Sequence, residues 1–166
     1  MSEIILISIT GEDRPGVTAE LTRVLALYHV DILDIGQAVI HDTLSLGILI
    51  SIPKESESAP ILKDLLFTAH SLDVTLQFSP IEPERYERWV NAQGKARYIV
   101  TLLAGRITAE HVNNVTQALK DHGLNIDIIN RLTGRPNLLG QGTQAMACVE
   151  ISVRGEAQAP EALKKR

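Results

Sequence analysis

A short turn near the N-terminus carries residue types that could hold a small anion. It reads Thr-Gly-Glu-Asp-Arg-Pro-Gly-Val over residues 10–17, between an apolar strand-like run and apolar residues at helical spacing. Glycine admits a positive φ and a close backbone approach, and Pro15 suits the first helical position because its missing N–H costs nothing there. The next N–H groups lack partners inside the helix and lie at the positive end of its dipole. The turn therefore predicts a site for a carboxylate.

Side-chain oxygens in this turn and at two predicted strand starts could bind the ammonium or hydroxyl group of an amino acid. They belong to Asp13, Asp31 and Asn125. Arg14 has two interpretations, a surface cation at a turn or a clamp across an interface. The candidate ligand-binding residues come from this turn, from a second turn near residue 105 and from two predicted strand starts: Gly11, Asp13, Arg14, Pro15, Gly16, Val17, Asp31, Ile32, Gly105, Arg106, Thr108, Asn125 and Ile126.

The sequence lacks the common motifs for catalysis and metal binding. Its five histidines form no His-x-x-x-His or Glu-x-x-His pair, and one cysteine cannot make a Cys-x-x-Cys motif. Neither a Gly-x-Ser-x-Gly elbow nor a Gly-x-x-x-x-Gly-Lys-Ser/Thr loop occurs. An aspartyl-phosphate phosphatase needs two aspartates one residue apart, and no Asp-x-Asp is present. We predict a non-catalytic binding module without a cofactor of its own.

Composition and charge narrow the class of partner. The net charge is −4 and no Lys/Arg-rich block occurs, which argues against a nucleic-acid surface. No apolar run approaches the ~20 residues of a membrane span, and the N-terminus lacks the basic region of a secretory signal. The lone Cys148, expected to be a buried packing residue, cannot form an internal disulfide. These features predict a cytoplasmic protein that binds neither nucleic acid nor membrane.

Residues 1–79 predict one ferredoxin-like unit. Their order is β-α-β-β-α-β, which implies an α+β fold with a four-stranded antiparallel sheet and both helices on one face. The pattern gives strands at 4–10, 32–40, 44–52 and 74–78, and helices at 17–28 and after residues 56–60.

A degenerate copy of this unit is predicted at 97–166, after a linker at 80–96 whose short polar helix carries Tyr86 and Trp89. A shift of 94 residues without a gap superimposes identical residues at the same points of the pattern. In this register Thr108 is the N-cap of the copy's first helix. The identical pairs are Ile5/Ile99, Gly11/Gly105, Thr22/Thr116, Leu25/Leu119, Ile32/Ile126 and Ile35/Ile129.

The second unit is expected to be incomplete. Residues 158–166 look like the beginning of a second helix, and the chain ends there without a last strand. A sheet that lacks an edge strand leaves backbone groups unpaired. We therefore expect a piece of a longer polypeptide that assembles into a homo-oligomer, a dimer in the simplest case, by side-by-side sheet pairing.

The N-terminal turn resembles the opening of an ACT domain, which is an apolar strand followed by Thr-Gly-x-Asp-Arg-Pro-Gly-Val. Asn125-Ile126 resembles the Asn-Ile that starts the second strand of many ACT domains, whereas the first unit has Asp31-Ile32 and the second turn lacks the Arg-Pro-Gly core. Together with Tyr-x-x-Trp in the linker and the runs at 125–135 and 148–155, these features make the chain similar to the N-terminal regulatory half of bacterial phosphoserine phosphatases.

This resemblance implies a tandem ACT module that senses an amino acid, L-serine, in serine biosynthesis. The ligand would lie where a glycine turn of one unit meets a strand start of another, so that a valine at Gly16 or Gly105 is expected to abolish binding. A C-terminal catalytic domain that uses Mg²⁺ is implied outside this chain. Two alternatives remain: a freestanding tandem-ACT regulator of the glycine-cleavage repressor type, which acts through protein partners, and a ligand-free dimerisation module.

Overall fold

The computed structural model describes residues 3–135 and 146–156. The chain divides into two compact units, Met1–Val90 and Asn91–Arg166. The elements in chain order are β1 (Glu3–Glu12), α1 (Val17–Leu27), β2 (Asp31–Ile40), β3 (Thr43–Ile52), α2 (Ser58–Ser71), β4 (Val74–Ile81), α3 (Pro83–Ala92), β5 (Ala96–Ala104), α4 (Ala109–Asp121), β6 (Asn125–Arg131) and β7 (Ala147–Gly155).

The first unit is a four-stranded antiparallel sheet in the order β2-β3-β1-β4. Every second side chain of β1 and β3 is buried with the apolar residues of α1 and α2, because successive residues of a strand point to opposite faces. Each buried Ile or Leu contributes about 1.5–3 kcal/mol. The predicted α+β ferredoxin-like fold is confirmed. The largest buried side chains are Ile5, Ile7, Ile9, Leu21, Leu25, Leu44, Ile48, Ile50, Ile52, Ile61 and Leu65.

The last strand of the first unit is longer than its pattern indicated. β4 pairs with β1 as far as Ile81, through Pro80. It lies at the edge of the sheet, and an edge strand tolerates proline because one side of the strand has no bonding partner. α3 follows closely, and its residues border the open sheet face at Ile4, Leu33 and Ser51.

The second unit repeats the βαββ order, with its three described strands arranged β5-β7-β6. Its core is smaller and centres on Leu119 and the alternate residues of β7. The pairing of β6 shifts between Ile126 and Ile128, and that of β2 shifts between Ile32 and Asp34. Leu33 and Asp127 are therefore the extra residues of equivalent bulges. The helix expected at 158–166 lies outside the described residues.

The gapless register of the two copies is wrong in their first strand. Ile5 pairs with Ile50, which also pairs with Ile32. In the second unit Tyr98 pairs with Val153, which also pairs with Ile126. The counterpart of Ile5 is thus Tyr98 rather than Ile99, which is 64% exposed. Ala104 rather than Gly105 therefore corresponds to Gly11. The difference in length lies in the helix, since α4 has 13 residues and α1 has 11.

The two corresponding helices also start differently. Pro15 was predicted at the first helical position, but α1 begins at Val17 because Gly16 has a φ of 96°, which a helix cannot continue. α4 begins directly after Thr108, whose hydroxyl accepts the N–H of His111 while His111 Nδ1 accepts the N–H of Thr108. The predicted Thr108 cap is confirmed.

Candidate functional site

The start of α1 has no side-chain cap. Its N-cap is Gly16, in a left-handed conformation, and no side chain there accepts a backbone N–H. The Glu20 N–H bonds to the Gly16 carbonyl at 2.9 Å, and the Val17 N–H makes only a long contact of 3.4 Å with the Arg14 carbonyl. In other helices, an N-cap side chain accepts a hydrogen bond from one of the N–H groups that here follow Val17. An anion can accept hydrogen bonds from them.

A cavity of about 370 Å³ lies beside this helix start. Its lining contains residues 13–19 in succession, with Gln37 of β2 and Leu44 of β3. Thr18 Oγ1 donates to Gln37 Oε1 at 2.6 Å, which joins the helix to the edge strand. Ligand pockets run from about 300 to 1,000 Å³, so this one suits a small amino acid. Five of the predicted site residues, 13 to 17, line it together.

Asp13 brings a carboxylate to the same cavity. Its N–H donates to the Asp42 carbonyl at 2.7 Å, which ties the glycine turn to the turn between β2 and β3. In that second turn His41 Nδ1 lies 2.7 Å from Asp42 Oδ1, and this hydrogen bond lowers the pKa of the Asp42 carboxyl. The cavity therefore offers donors for a carboxylate and an acceptor for an ammonium.

Arg14 bonds within its own unit. Its guanidinium Nη2 donates to the carbonyl of Leu72, the C-cap residue of α2. A cation is favourable at that position because the carbonyl end of a helix carries partial negative charge. Arg14 is thus a clamp between the glycine turn and α2, which neither sequence interpretation described.

Gly11 is packed against its neighbour in the sheet. It pairs with Val74 of β4, and a Cβ added to Gly11 would meet Val74 Cγ1 at 2.6 Å. The absence of a side chain at Gly11 therefore allows close packing against Val74 of the same chain rather than against a ligand. Gly11 does not line the cavity of residues 13–19.

Asp31 and Ile32 lie far from the glycine turn of their own unit. Asp31 pairs with Ser51, whereas Gly11 pairs with Leu44 at the other end of β3. Seven residues of strand at ~3.3 Å each separate the two pairs, or roughly 23 Å. The first unit does not bring the two halves of the predicted site together.

The second turn offers a weaker anion site than the first. The capping box of Thr108 and His111 occupies donors at the start of α4. Gly105 has open space around its Cβ position and is not in the positive-φ region, so the turn imposes no need for glycine there. Gly105, Arg106 and Thr108 are also separated from Asn125 by the length of α4.

Asn125 and Ile126 line a cavity of about 450 Å³ at the start of β6. Thr116 and Lys120 of α4 border the same cavity, with Gly123 and Leu124 between helix and strand. Gly123 has a φ of 67°, as His29 has one of 52° at the corresponding point of the first unit. A carboxamide, a hydroxyl and an ammonium group thus share this edge of the second sheet.

The family model of the ACT domain matches residues 3–79. The first unit is an ACT domain. Such domains are regulatory modules that generally bind small-molecule amino acids and oligomerise. The second ACT-like unit has the same βαββ order and the same strand bulge.

Two curated relatives match nearly the whole tandem. The chain is 33% identical over 135 residues to "Phosphoserine phosphatase SerB2" of Mycobacterium tuberculosis, covering 80% of this chain and 31% of that protein. It is 32% identical over 161 residues to a phosphoserine phosphatase of Streptomyces coelicolor, covering 94% of this chain and 35% of the relative. The tandem thus spans about a third of the length of these relatives.

A solved structure shares the fold of the tandem ACT chain. It is described as a putative glycine cleavage system transcriptional repressor, and the similarity has a TM-score of 0.64 at 17% identity. It covers 98% of this chain and 86% of the other. At that identity the likeness establishes the fold alone.

Sequence reasoning missed a polar pair in the second ACT-like unit. Arg154 Nε lies 2.7 Å and 2.8 Å from the two carboxylate oxygens of Asp127. The sequence did contain a signal for this pair, because Asp127 is a charged residue among the isoleucines of the run Asn-Ile-Asp-Ile-Ile. The bulge concealed its meaning, because strict alternation assigns Ile128 and Ile129 to the wrong faces.

The residues described were also compared with the requirements for a metal site and for a membrane-spanning helix. Within 3–135 and 146–156, no three or more His, Cys, Asp or Glu side chains are grouped to hold a metal ion. No helix in those ranges is long and apolar enough to cross a membrane. Cys148, expected to be buried, is only half-buried, and its N–H donates to Thr133 Oγ1 at 3.1 Å.

Proposed function

We propose that this chain is the amino-acid-sensing module of a phosphoserine phosphatase and that its ligand is L-serine. The observation that carries the proposal is the similarity to two phosphoserine phosphatases over 80% and 94% of the chain. Phosphatase chemistry, with its Mg²⁺, belongs in this proposal to a further domain of the full-length protein. The tandem supplies feedback in serine biosynthesis by binding the end product.

The glycine turn of the first unit is the carboxylate-binding half of the proposed site. Its uncapped N–H groups suit an anion, and Asp13 on the same cavity suits the ammonium. A volume of about 370 Å³ lies at the small end of the range for ligand pockets and suffices for an amino acid. The capped start of α4 makes the second turn the weaker candidate.

Asn125 and Asp31 belong to the second half of the proposed site. Each unit separates its strand start from its glycine turn by the length of the sheet, so a ligand that contacts both needs two units. We place it in a homodimer formed by side-by-side sheet pairing. β2 suits such pairing because it is an edge strand whose Ile32, Ile35 and Val39 are each more than a third exposed.

Calorimetric titration with L-serine tests the proposal, with glycine, L-alanine and L-phenylalanine as comparators. We expect saturable binding of L-serine, weaker binding of the smaller amino acids and none of L-phenylalanine. Asp13→Asn should weaken L-serine binding about tenfold, because a hydrogen bond to a charged group is lost. Glu12→Gln is the matched control, since Glu12 does not line the cavity.

Molar mass in solution, measured with and without L-serine, separates sensing from simple dimerisation. A dimer that changes its assembly or stability on binding supports the sensor. A stable dimer that gives no heat with any amino acid would favour the ligand-free dimerisation module instead. Equal effects of Asp13→Asn and Glu12→Gln would show that the cavity is not the site.

A further inference from the structure

Three polar side chains form a connected cluster at the start of β6. Asn125 pairs with Arg154 across the β6–β7 ladder. Asn125 Nδ2 lies 3.4 Å from Asp127 Oδ1 and 3.5 Å from the Ile126 carbonyl. Arg154 Nε holds both oxygens of Asp127 at 2.7 Å and 2.8 Å. Asp127 thus joins the arginine to the carboxamide.

The side chains of the ion pair are partly shielded from solvent. The side chains of Arg154 and Asp127 are 15% and 21% exposed, so their attraction is less screened than that of a surface pair. Arg154 Nη1 is buried without a hydrogen-bond partner among the described residues. Asn125 itself is exposed and can reach a ligand.

The first ACT unit forms the same bulge without this cluster. There the corresponding residues are Asp31, Leu33 and Ser51. Leu33 at the bulge and Ser51 on the neighbouring strand cannot form an ion pair. The backbone irregularity therefore does not depend on Asp127 and Arg154, and their chemistry calls for another explanation.

The contacts of Asn125 favour one orientation of its carboxamide. A carboxylate and a backbone carbonyl only accept hydrogen bonds, so both neighbours of Asn125 favour its NH₂ group. The opposite orientation would bring the Asn125 oxygen against the Asp127 carboxylate. The Asn125 Oδ1 is thereby left free as an acceptor on an exposed edge of the sheet.

We infer that Asp127 and Arg154 are positioning residues that present Asn125 Oδ1 to the ammonium of an amino-acid ligand. Asp127 selects the orientation of the carboxamide, and Arg154 holds the Asp127 carboxylate so that it does not compete for the ammonium itself. The inference rests on the proposed function. It assigns ligand recognition in the second unit to a three-residue relay that the first unit lacks.

A double-mutant cycle with calorimetric titration of L-serine tests this relay. The variants are Asn125→Ala, Asp127→Leu and the two together, and leucine is chosen because the first unit accommodates it at the same bulge. We expect each single change to weaken binding about tenfold. The double variant should bind within about twofold of Asn125→Ala, because a residue that acts through Asn125 has no effect once Asn125 is gone. Glu150→Gln, on the same sheet, is the control and should leave the Kd unchanged.

Urea unfolding of the same proteins separates positioning from stability. A purely structural Asp127 would lower stability and affinity alike in both Asn125 and Asn125→Ala backgrounds, and the resulting additive loss of about a hundredfold in affinity would overturn the inference. If the wild type binds L-serine and Asp127→Leu binds it with the same Kd, the inference is overturned and the proposed function stands. No amino-acid binding by the wild type would overturn both.

Discussion

Gly11 lies directly opposite Val74 in the first sheet, so close that a Cβ on Gly11 would come within 2.6 Å of Val74 Cγ1. Val74 opens β4 and is buried with the core. The end of β1 that leads into the glycine turn is therefore set by packing with a strand more than 60 residues further along the chain. A residue that the sequence indicated as a ligand contact also has a demonstrable packing role.

Gly11→Ala should lower the free energy of unfolding by about 1–3 kcal/mol, because it overpacks the contact with Val74. Val74→Ala in the same protein should recover part of that loss by making room for the new methyl group. Urea denaturation of the single and double variants measures the coupling. Gly36→Ala is the control, since a Cβ there meets nothing within 4 Å; equal losses at Gly11 and Gly36 would contradict the packing argument.

Arg14→Met should destabilise the first unit by about 1 kcal/mol, because the hydrogen bond to the Leu72 carbonyl and its favourable helix-end charge are both lost. Chemical denaturation checks the value. Arg23→Met is matched to it, since Arg23 forms only an exposed ion pair with Glu20 at 2.9 Å and should cost no more than about 0.5 kcal/mol. Equal losses of stability in Arg14→Met and Arg23→Met would refute the clamp.

Gly16→Ala should cost about 1–2 kcal/mol, because a φ of 96° is unfavourable for any residue with a Cβ. No steric neighbour contributes, since the space around that Cβ position is open. Gly105→Ala should be close to neutral in thermal unfolding, because Gly105 has neither a positive φ nor a close neighbour. Similar losses in both would mean that the two turns are equivalent after all.

The contact between Tyr28 and Asp64 predicts a dependence on alkaline pH. The Tyr28 hydroxyl donates to Asp64 Oδ2 at 2.6 Å, and this bond raises the pKa of Tyr28 above 10.0. Because the folded-state pKa is the raised one, the contribution to stability is full below pH 10 and is lost as the pH rises through the folded-state pKa. Tyr28→Phe should remove this pH dependence.

Tyrosinate absorbance during a pH titration measures the shift directly. Asp64→Asn should move the Tyr28 transition toward lower pH, because the carboxylate that stabilises the protonated phenol is removed. Asp73→Asn, which changes a charge without touching Tyr28, is the comparison. A Tyr28 transition that stays in place in Asp64→Asn would eliminate the hydrogen bond as its cause.

The fold of the first unit was predictable because its hydrophobic periodicity is regular. Every second residue of β3 from Leu44 to Ile52 is a buried Leu or Ile, and α1 buries Val17, Leu21, Val24 and Leu25 at helical spacing. The alignment of the second unit on the first was harder to predict, since the identity of Ile5 and Ile99 favoured a repeat without a gap. That alignment put the buried Ile5 opposite the exposed Ile99, and only the strand pairing reveals that the first strands are offset by one residue.

The candidate site was predictable in its local part only. Residues 13 to 17 were found from glycine, proline and the following helix, and they share a cavity. The contact of Arg14 with Leu72 and that of Gly11 with Val74 could not be predicted, because the paired residues are distant in sequence and belong to no motif. Asp127 escaped notice because a bulge, which periodicity does not reveal, changes the side to which the next residues point.

The equivalent bulges at Leu33 and Asp127 have a practical consequence. Both units have the same irregularity in the backbone, while the side chain at the bulge is apolar and borders α3 in the first unit and is charged beside an arginine in the second. The same backbone position therefore carries different chemistry in the two units. A substitution tolerated in one unit is no guide to its effect in the other, and mutational surveys of such tandem proteins need to score each unit separately.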